Sequence, residues 1–355
     1  MTRKTLALAA AFLCVFASAQ AQPAPDAPKG DADNTRGTFT IQSENDVFNV
    51  LNRSDRDYTN GLRIGWLSGP TDIWPWLVPI TTFPAFFGEP AATRTDRKWG
   101  VSLGQNIYTP ENTALSTRIY NDRPYAAWAY IGGALQYTYY KKDEKGNELP
   151  TRQDTLQVDV GLVGPAVGGE FTQNNFHNII HVEQVNGWAN QLHNEPTLGL
   201  TFERRWRTGV RAVFNDPQLE IDFVPRMAAA VGNVATYASA GGLFRIGRDL
   251  NVDFGPARAR PALPGSDGFS GTGFSWYLFA GGDAQVWARN MFIDGNLDGY
   301  GSNITRRPFV GEAQAGLALI FQGVRVTLSQ VLRTSEFYER DRINMFGSVN
   351  VTFRY

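Results

Sequence analysis

The 355-residue sequence contains one cysteine, Cys14. It lies in an opening segment, Met1 to Ala21, that pairs Arg3 and Lys4 with an apolar run from Leu6 to Ala17 and a small-residue end, Ala19-Gln20-Ala21. That is the pattern of a cleaved secretory signal. Without this segment no thiol remains, which excludes cysteine nucleophiles, Cys-ligated zinc, iron–sulfur clusters and disulfide scaffolds. Leu13 precedes Cys14 where a lipoprotein anchor needs a small residue. Excess charge is also lacking: 33 Lys+Arg against 34 Asp+Glu give a net charge of -1, which argues against nucleic-acid binding through bulk charge. No later stretch approaches the roughly 18 uninterrupted apolar residues of a spanning helix. Motifs of the GxGxxG, Walker and G-x-S-x-G kinds are absent, which argues against nucleotide chemistry and a nucleophile elbow.

Aromatic residues and glycine are plentiful, at 13% and 36 residues, a combination that suits strands. Residues 22–36, rich in Pro, Ala and Asp, read as a flexible segment. From Gly37 the pattern has period two. Val349, Val351, Phe353 and Tyr355 alternate with Ser348, Asn350, Thr352 and Arg354. Similar alternation at Leu219–Phe223 and Val324–Leu328 puts charge on the face that a soluble barrel would need for its core. A polar interior with an apolar exterior is the mark of an outer-membrane barrel, whereas a soluble β-sandwich would not need so many inward charges.

The extended segments 37–44, 59–69, 98–107, 125–141, 151–163, 195–207, 218–231, 235–247, 273–287, 308–321, 323–333 and 345–355 predict an all-β, 12-stranded antiparallel transmembrane β-barrel of the bacterial outer membrane over residues 37–355. Aromatics near strand ends, among them Trp66, Trp99, Tyr108, Trp128, Trp287, Phe353 and Tyr355, read as interfacial girdles. With the chain entering from the periplasm, the long connections 45–58, 108–124, 164–194, 288–307 and 334–344 fall on the outer side and several short turns on the inner. Segments 70–97 and 248–272 fit this parity poorly. The first reads as a short helical element under the barrel.

The three histidines, His177, His181 and His193, fall in one long outer connection. Around them Phe176, Ile179, Ile180 and Val182 have the spacing of a short amphipathic helix, on which His177 and His181 share a face at i and i+4. The functional reading is a general base or a metal site, with Glu183 six residues after His177; the plain alternative is loop histidines without a role. His193 reads as a surface residue at a strand entry. The stretch SENDVFN supplies Glu44, Asn45 and Asp46, oxygen donors of the kind that suit a hard cation such as Ca2+, although Asn-Asp is also a common turn pair. Thr59 and Ser68, in DRDYTNGLRIGWLSG, are hydroxyls available as ligands, donors or nucleophiles.

Taken together, ENDVF, DRDYTNGLRIGWLSG, GQNIYTP, DRPYAAWAYIG and VGPAVGGEFTQNNFH running on to GWANQLHNEP make the chain similar to the outer-membrane lipid A 3-O-deacylase family, over roughly residues 37–205. The resemblance implies Ca2+-dependent hydrolysis of the 3'-linked acyloxyacyl ester of lipid A (lipopolysaccharide) in the outer leaflet. It implies Asn45, Asp46 and His177 as the Asn-Asp pair and the histidine, with Glu183 as the following glutamate. It puts the site hydroxyl at Ser68 or Thr59, and a phosphate-binding lysine at Lys98. On this reading His177 activates water, while Asn45, Asp46 and Glu183 hold the cation or orient the imidazole. Asn45, Ser68, Lys98 and the His177 loop are all expected at the outer rim, with Arg56, Arg63 and Arg123 as further phosphate contacts. No nucleotide or nucleic-acid partner is expected. The rivals are a serine-dependent phospholipase-type hydrolase, with Ser68 as nucleophile and His177 as base, and a non-catalytic porin or adhesin.

Overall fold

A computed structural model describes residues 36–355 apart from 46–47, 49–56, 72–88, 90, 182, 214–215, 257–267, 272 and 302. The expected signal segment, residues 22–35, Asp46, Arg56 and the aromatic-rich part of 70–97 lie outside the described residues. Twelve antiparallel strands form a closed wall: β1 (Thr38–Asn45), β2 (Asp57–Leu67), β3 (Arg94–Thr109), β4 (Ala126–Lys142), β5 (Glu148–Val163), β6 (Glu195–Trp206), β8 (Asp216–Gly232), β9 (Ala235–Arg248), β10 (Ser275–Asn290), β11 (Phe309–Phe321), β12 (Val324–Arg333) and β13 (Asn344–Arg354). The short β7 (Arg211–Val213) pairs only with β8. Closure is made by β1 against β13, while β6 and β8 complete the ring across β7.

Each expected strand is present. Two begin earlier than the alternation suggests, β3 at Arg94 and β5 at Glu148. There Arg94 stacks 4.0 Å over the Tyr140 ring and pairs with Glu148 at 2.9 Å, which extends the ladders past the apolar pattern.

The polarity is inside-out. On β1, Thr38, Thr40, Gln42 and Glu44 are buried, whereas Phe39 and Ile41 are exposed. Leu62, Ile64, Leu103, Ile131, Val160 and Leu198 continue the exposed belt. Such a belt removes no apolar area from water unless lipid covers it. Among the described residues no helix is long and apolar enough to cross a membrane, so the spanning elements are the strands.

Both ends of the lumen are filled. At the end carrying the chain termini, part of 248–272 folds inward, which explains its poor fit to a simple turn. Leu250, Val252, Phe254 and Phe269 pack on Leu243, Tyr277 and Ile320. Among them Asp253 pairs with Arg245 at 2.7 Å and Arg325 at 2.7 Å, and accepts from the Tyr277 hydroxyl at 2.8 Å. At the opposite, loop end, the one-turn helix α2 (Met291–Asp294) is capped by Asn290, whose side chain accepts from the Phe292 amide. It drives Met291 and Phe292 into a cluster with Tyr58, Tyr108, Trp128 and Phe346, with Phe292 stacked 3.8 Å from Tyr108. The expected girdle therefore needs correction at this end. Trp66 and Trp99 meet on the outer face near the termini, at 4.8 Å, but period two turns Tyr108 and Trp128 into the lumen.

Candidate functional site on the outer face of the wall

The long β5–β6 connection carries helix α1 (Gly169–Ile180). Its lead-in passes through Gly168 at φ 70°, a left-handed conformation that favours glycine. Gly169 then lies so close to the wall that a Cβ would stand 2.4 Å from the Cβ of Ala127. Ala127, Ile107, Tyr125, Val185 and Trp188 form an apolar cluster on the outward side of β3 and β4. The Gln105 amide donates to the Val167 carbonyl at 2.9 Å. Helix α1 is thus mounted outside the barrel at the loop end.

Its buried stripe is polar. Gly169, Gln173 and His177, at i, i+4 and i+8, are the buried positions, so one helical face carries them all against the wall. His177 Nδ1 lies 2.5 Å from the Glu183 carbonyl oxygen. A carbonyl can only accept, so Nδ1 carries the hydrogen and the neutral ring keeps its lone pair on Nε2. Glu183 serves here through its main chain, and its side chain is exposed. His181 does not join His177: it is the left-handed C-cap of α1 at φ 58° and is exposed, so the helix ends before an i, i+4 pair can form. His193 is a half-exposed surface residue stacked 3.6 Å from Tyr300.

Gln173, one turn before His177, escaped the sequence reading. Its oxygen accepts from Trp188 Nε1 at 3.0 Å, which fixes the amide orientation. Its Nε2, in contrast, is buried with no partner among the described residues. The available signal was its position four residues before His177 within the VGPAVGGEFTQNNFH motif.

The wall contributes a second polar group on the same outward face and at the same end. Asn45 follows Phe39 and Ile41 in the outward register of β1, and its Nδ2 donates to Asn60 Oδ1 at 3.4 Å. A bulge between Tyr58 and Asn60 frees Thr59, whose hydroxyl lies 2.7 Å from that of Thr109. Asn45, Thr59 and Thr109 are all buried, although their strands turn this face outward.

Ser68 and Lys98 are not at this rim, contrary to expectation. β2 descends from the rim, so Ser68 lies at the terminal end, eight residues past Asn60, or about 25 Å along a strand at about 3.3 Å per residue. Its hydroxyl is engaged there, donating to the Gly69 carbonyl at 2.7 Å and accepting from the Trp99 amide at 3.1 Å. Lys98, near the start of β3, is buried in the lumen. Arg63 also faces the lumen, and Arg123 is buried in a 2.8 Å pair with Glu336. A Ser68–His177 dyad is therefore ruled out by the topology, and these three cations do not line the outer face.

Asn45 and Thr59 are oxygen donors of the hard kind that Ca2+ accepts. Among the described residues no three His, Cys, Asp or Glu side chains come together as a metal-binding group. The donors Asn45 and Thr59 fit a hard cation in kind, and Asp46, the next residue in the sequence, lies outside the described residues.

A closed barrel with an apolar outer belt and a polar interior defines a bacterial outer-membrane protein. Residues 6–355 match the outer membrane protein LpxR family, and the chain belongs to that family. It is the family that the sequence motifs resemble, the outer-membrane lipid A deacylases. Among solved structures, LpxR from Salmonella typhimurium superposes with a TM-score of 0.68 at 21% identity, covering 89% of this chain and 99% of that one. The β domain of the Bordetella autotransporter BrkA aligns with a TM-score of 0.40 at 13% identity, over 92% of this chain and 99% of that one. No curated protein matches the chain in sequence.

Proposed function

We propose that this outer-membrane barrel is a lipid A 3-O-deacylase that hydrolyses the 3'-linked acyloxyacyl ester in the outer leaflet, with water as nucleophile. The observation that carries the reading is His177: a buried imidazole outside the barrel, its Nδ1 held by the Glu183 carbonyl. Its Nε2 takes a proton from water, and the water oxygen bonds to the ester carbonyl carbon. The carbon–oxygen bond to the sugar then breaks, and the imidazolium returns its proton to the departing oxygen. The buried Nε2 of Gln173 donates to the carbonyl oxygen as negative charge gathers there.

Asn45 and Thr59, with Asp46, would hold a Ca2+ ion. When bound, that ion supplies positive charge to the substrate oxygen. Ser68 and Lys98 have no part in this scheme, and Glu183 acts through its carbonyl. The filled lumen disfavours a porin, because the described clusters occupy both ends of the channel.

The test is mass spectrometry of lipid A from cells producing the wild type or His177→Ala. Loss of one acyloxyacyl group with the wild type alone is expected, and identical spectra would overturn the reading. Calcium dependence is tested separately, by chelation and titration of wild type against Asn45→Ala. An unchanged titration removes Asn45 as a ligand.

A further inference from the structure

Helix α1 is amphipathic in a direction opposite to that of a soluble protein. Its wall side buries Gln173 and His177, whereas Phe171 is 75% exposed, Ile179 72% and Phe176 38%. At about 100° per residue, Gly169, Gln173 and His177 share the wall-facing arc. Glu170, Asn174 and Asn178 follow on one side of it, Phe176 and Ile179 on the other, and Phe171 lies on the far side next to Asn178, with Thr172 and Asn175 interspersed among the apolar residues. The two flanks are treated differently by the chain. The polar flank is covered by the segment that follows: Asn174 accepts from the Val185 amide at 2.9 Å, and Gln184 donates to Asn178 at 3.2 Å. The apolar flank is left open, above strands whose outward residues Leu103, Ile131 and Val160 are themselves exposed.

Large apolar side chains left exposed over this arc of one short helix are unfavourable in water unless something covers them. Continuity with the belt of the barrel identifies the cover. We propose that α1 seats its Phe171–Phe176–Ile179 flank among the acyl chains of the outer leaflet, with its polar flank towards water. The helix then lies at the hydrocarbon boundary, about 5–10 Å into the interface region, and holds His177 at the level where acyl esters meet headgroups. The inference rests on the lipid-facing barrel and not on the deacylase chemistry.

The test uses the full chain in a Cys14→Ser background, with a nitroxide attached at Ile179→Cys or, as the water-side reference, at Glu170→Cys. Both proteins are reconstituted in phosphatidylcholine vesicles. Expected is high accessibility to oxygen and low accessibility to a water-soluble nickel chelate at position 179, with the opposite at 170. Equal accessibility at the two positions, or a water-exposed label at 179, would overturn the proposal. A second variant, Phe171→Asp with Ile179→Asp, checks the consequence. Turnover of lipid A in vesicles should fall while turnover in detergent micelles is kept; equal loss in both, with the barrel folded, also counts against it. Failure of the His177→Ala test would remove the deacylase reading and leave the accessibility measurement standing.

Discussion

Two buried polar clusters occupy opposite faces and opposite ends of one wall, and they are built differently. Inside, near the termini, Asp253, Asp222, Arg245 and Arg325 are joined carboxylate to guanidinium. Outside, at the rim, Asn45, Thr59, Gln173 and His177 present amide, hydroxyl and imidazole groups in place of carboxylate–guanidinium pairs, and the Gln173 Nε2 has no partner among the described residues. Cross-paired buried charges hold a plug in place, because removing either partner strands the other. A buried donor without a protein acceptor is costly to the fold and is explained by a ligand that takes it. Buried side-chain atoms without a partner among the described residues also occur in the lumen, at Gln314 Nε2 and Asn350 Nδ2, so it is the place of Gln173 one turn before His177 that ties it to the proposed site.

That contrast can be broken by single changes. The largest effect is expected at the plug: Asp253→Ala leaves two buried guanidinium groups short of a carboxylate and should lower stability by about 3–5 kcal/mol, read from urea unfolding in detergent. Deacylation below the transition should persist. Gln173→Leu should act mainly on rate, lowering kcat by about 10²–10³ as for loss of one oxyanion donor, at a smaller stability cost of about 1–3 kcal/mol because Trp188 Nε1 loses its acceptor. A rise in KM alone would reassign Gln173 to substrate binding, and a loss of stability alone to packing.

The pH responses should also separate. A general base must be neutral, so activity should fall on the acid side as the imidazole takes up a proton. Burial works to raise the pKa of Asp253, but Arg325 and Arg245 outweigh it and hold the carboxyl below the usual aspartate value. Its contribution to stability is therefore complete at neutral pH and is lost only as pH falls through that lowered value. Rate and unfolding measured on one pH series should show the plug intact at pH values above the usual aspartate range, whatever the rate does. The smallest effects belong to Glu183→Gln, since the contact comes from the carbonyl, and to Ser68→Ala at the far end; both should leave kcat within about twofold.

The strands were legible because inward polar and outward apolar residues alternate so regularly that register follows from period two. Height along the wall was less so. Ser68 stands in the same motif block as Thr59, yet β2 carries it to the other end. Proximity in sequence is distance in a strand, at about 3.3 Å per residue. On α1 the apolar spacing correctly indicated a helix, but the pairing of His177 with His181 depended on where that helix stops, and the left-handed turn at His181 carries no strong local signal. The inward fold of Leu250–Phe254 was invisible because its partners, Arg245, Tyr277 and Arg325, come from three different strands.

Asn45 occupies the last position of β1, opposite Gly347 of β13, so it borders the seam where the first and last strands meet. That seam needs residues 344–354, the last strand of the polypeptide, beside the first. A chain truncated before β13 therefore lacks the strand that flanks Asn45, and on the proposed scheme such a chain would leave its cation site without one wall.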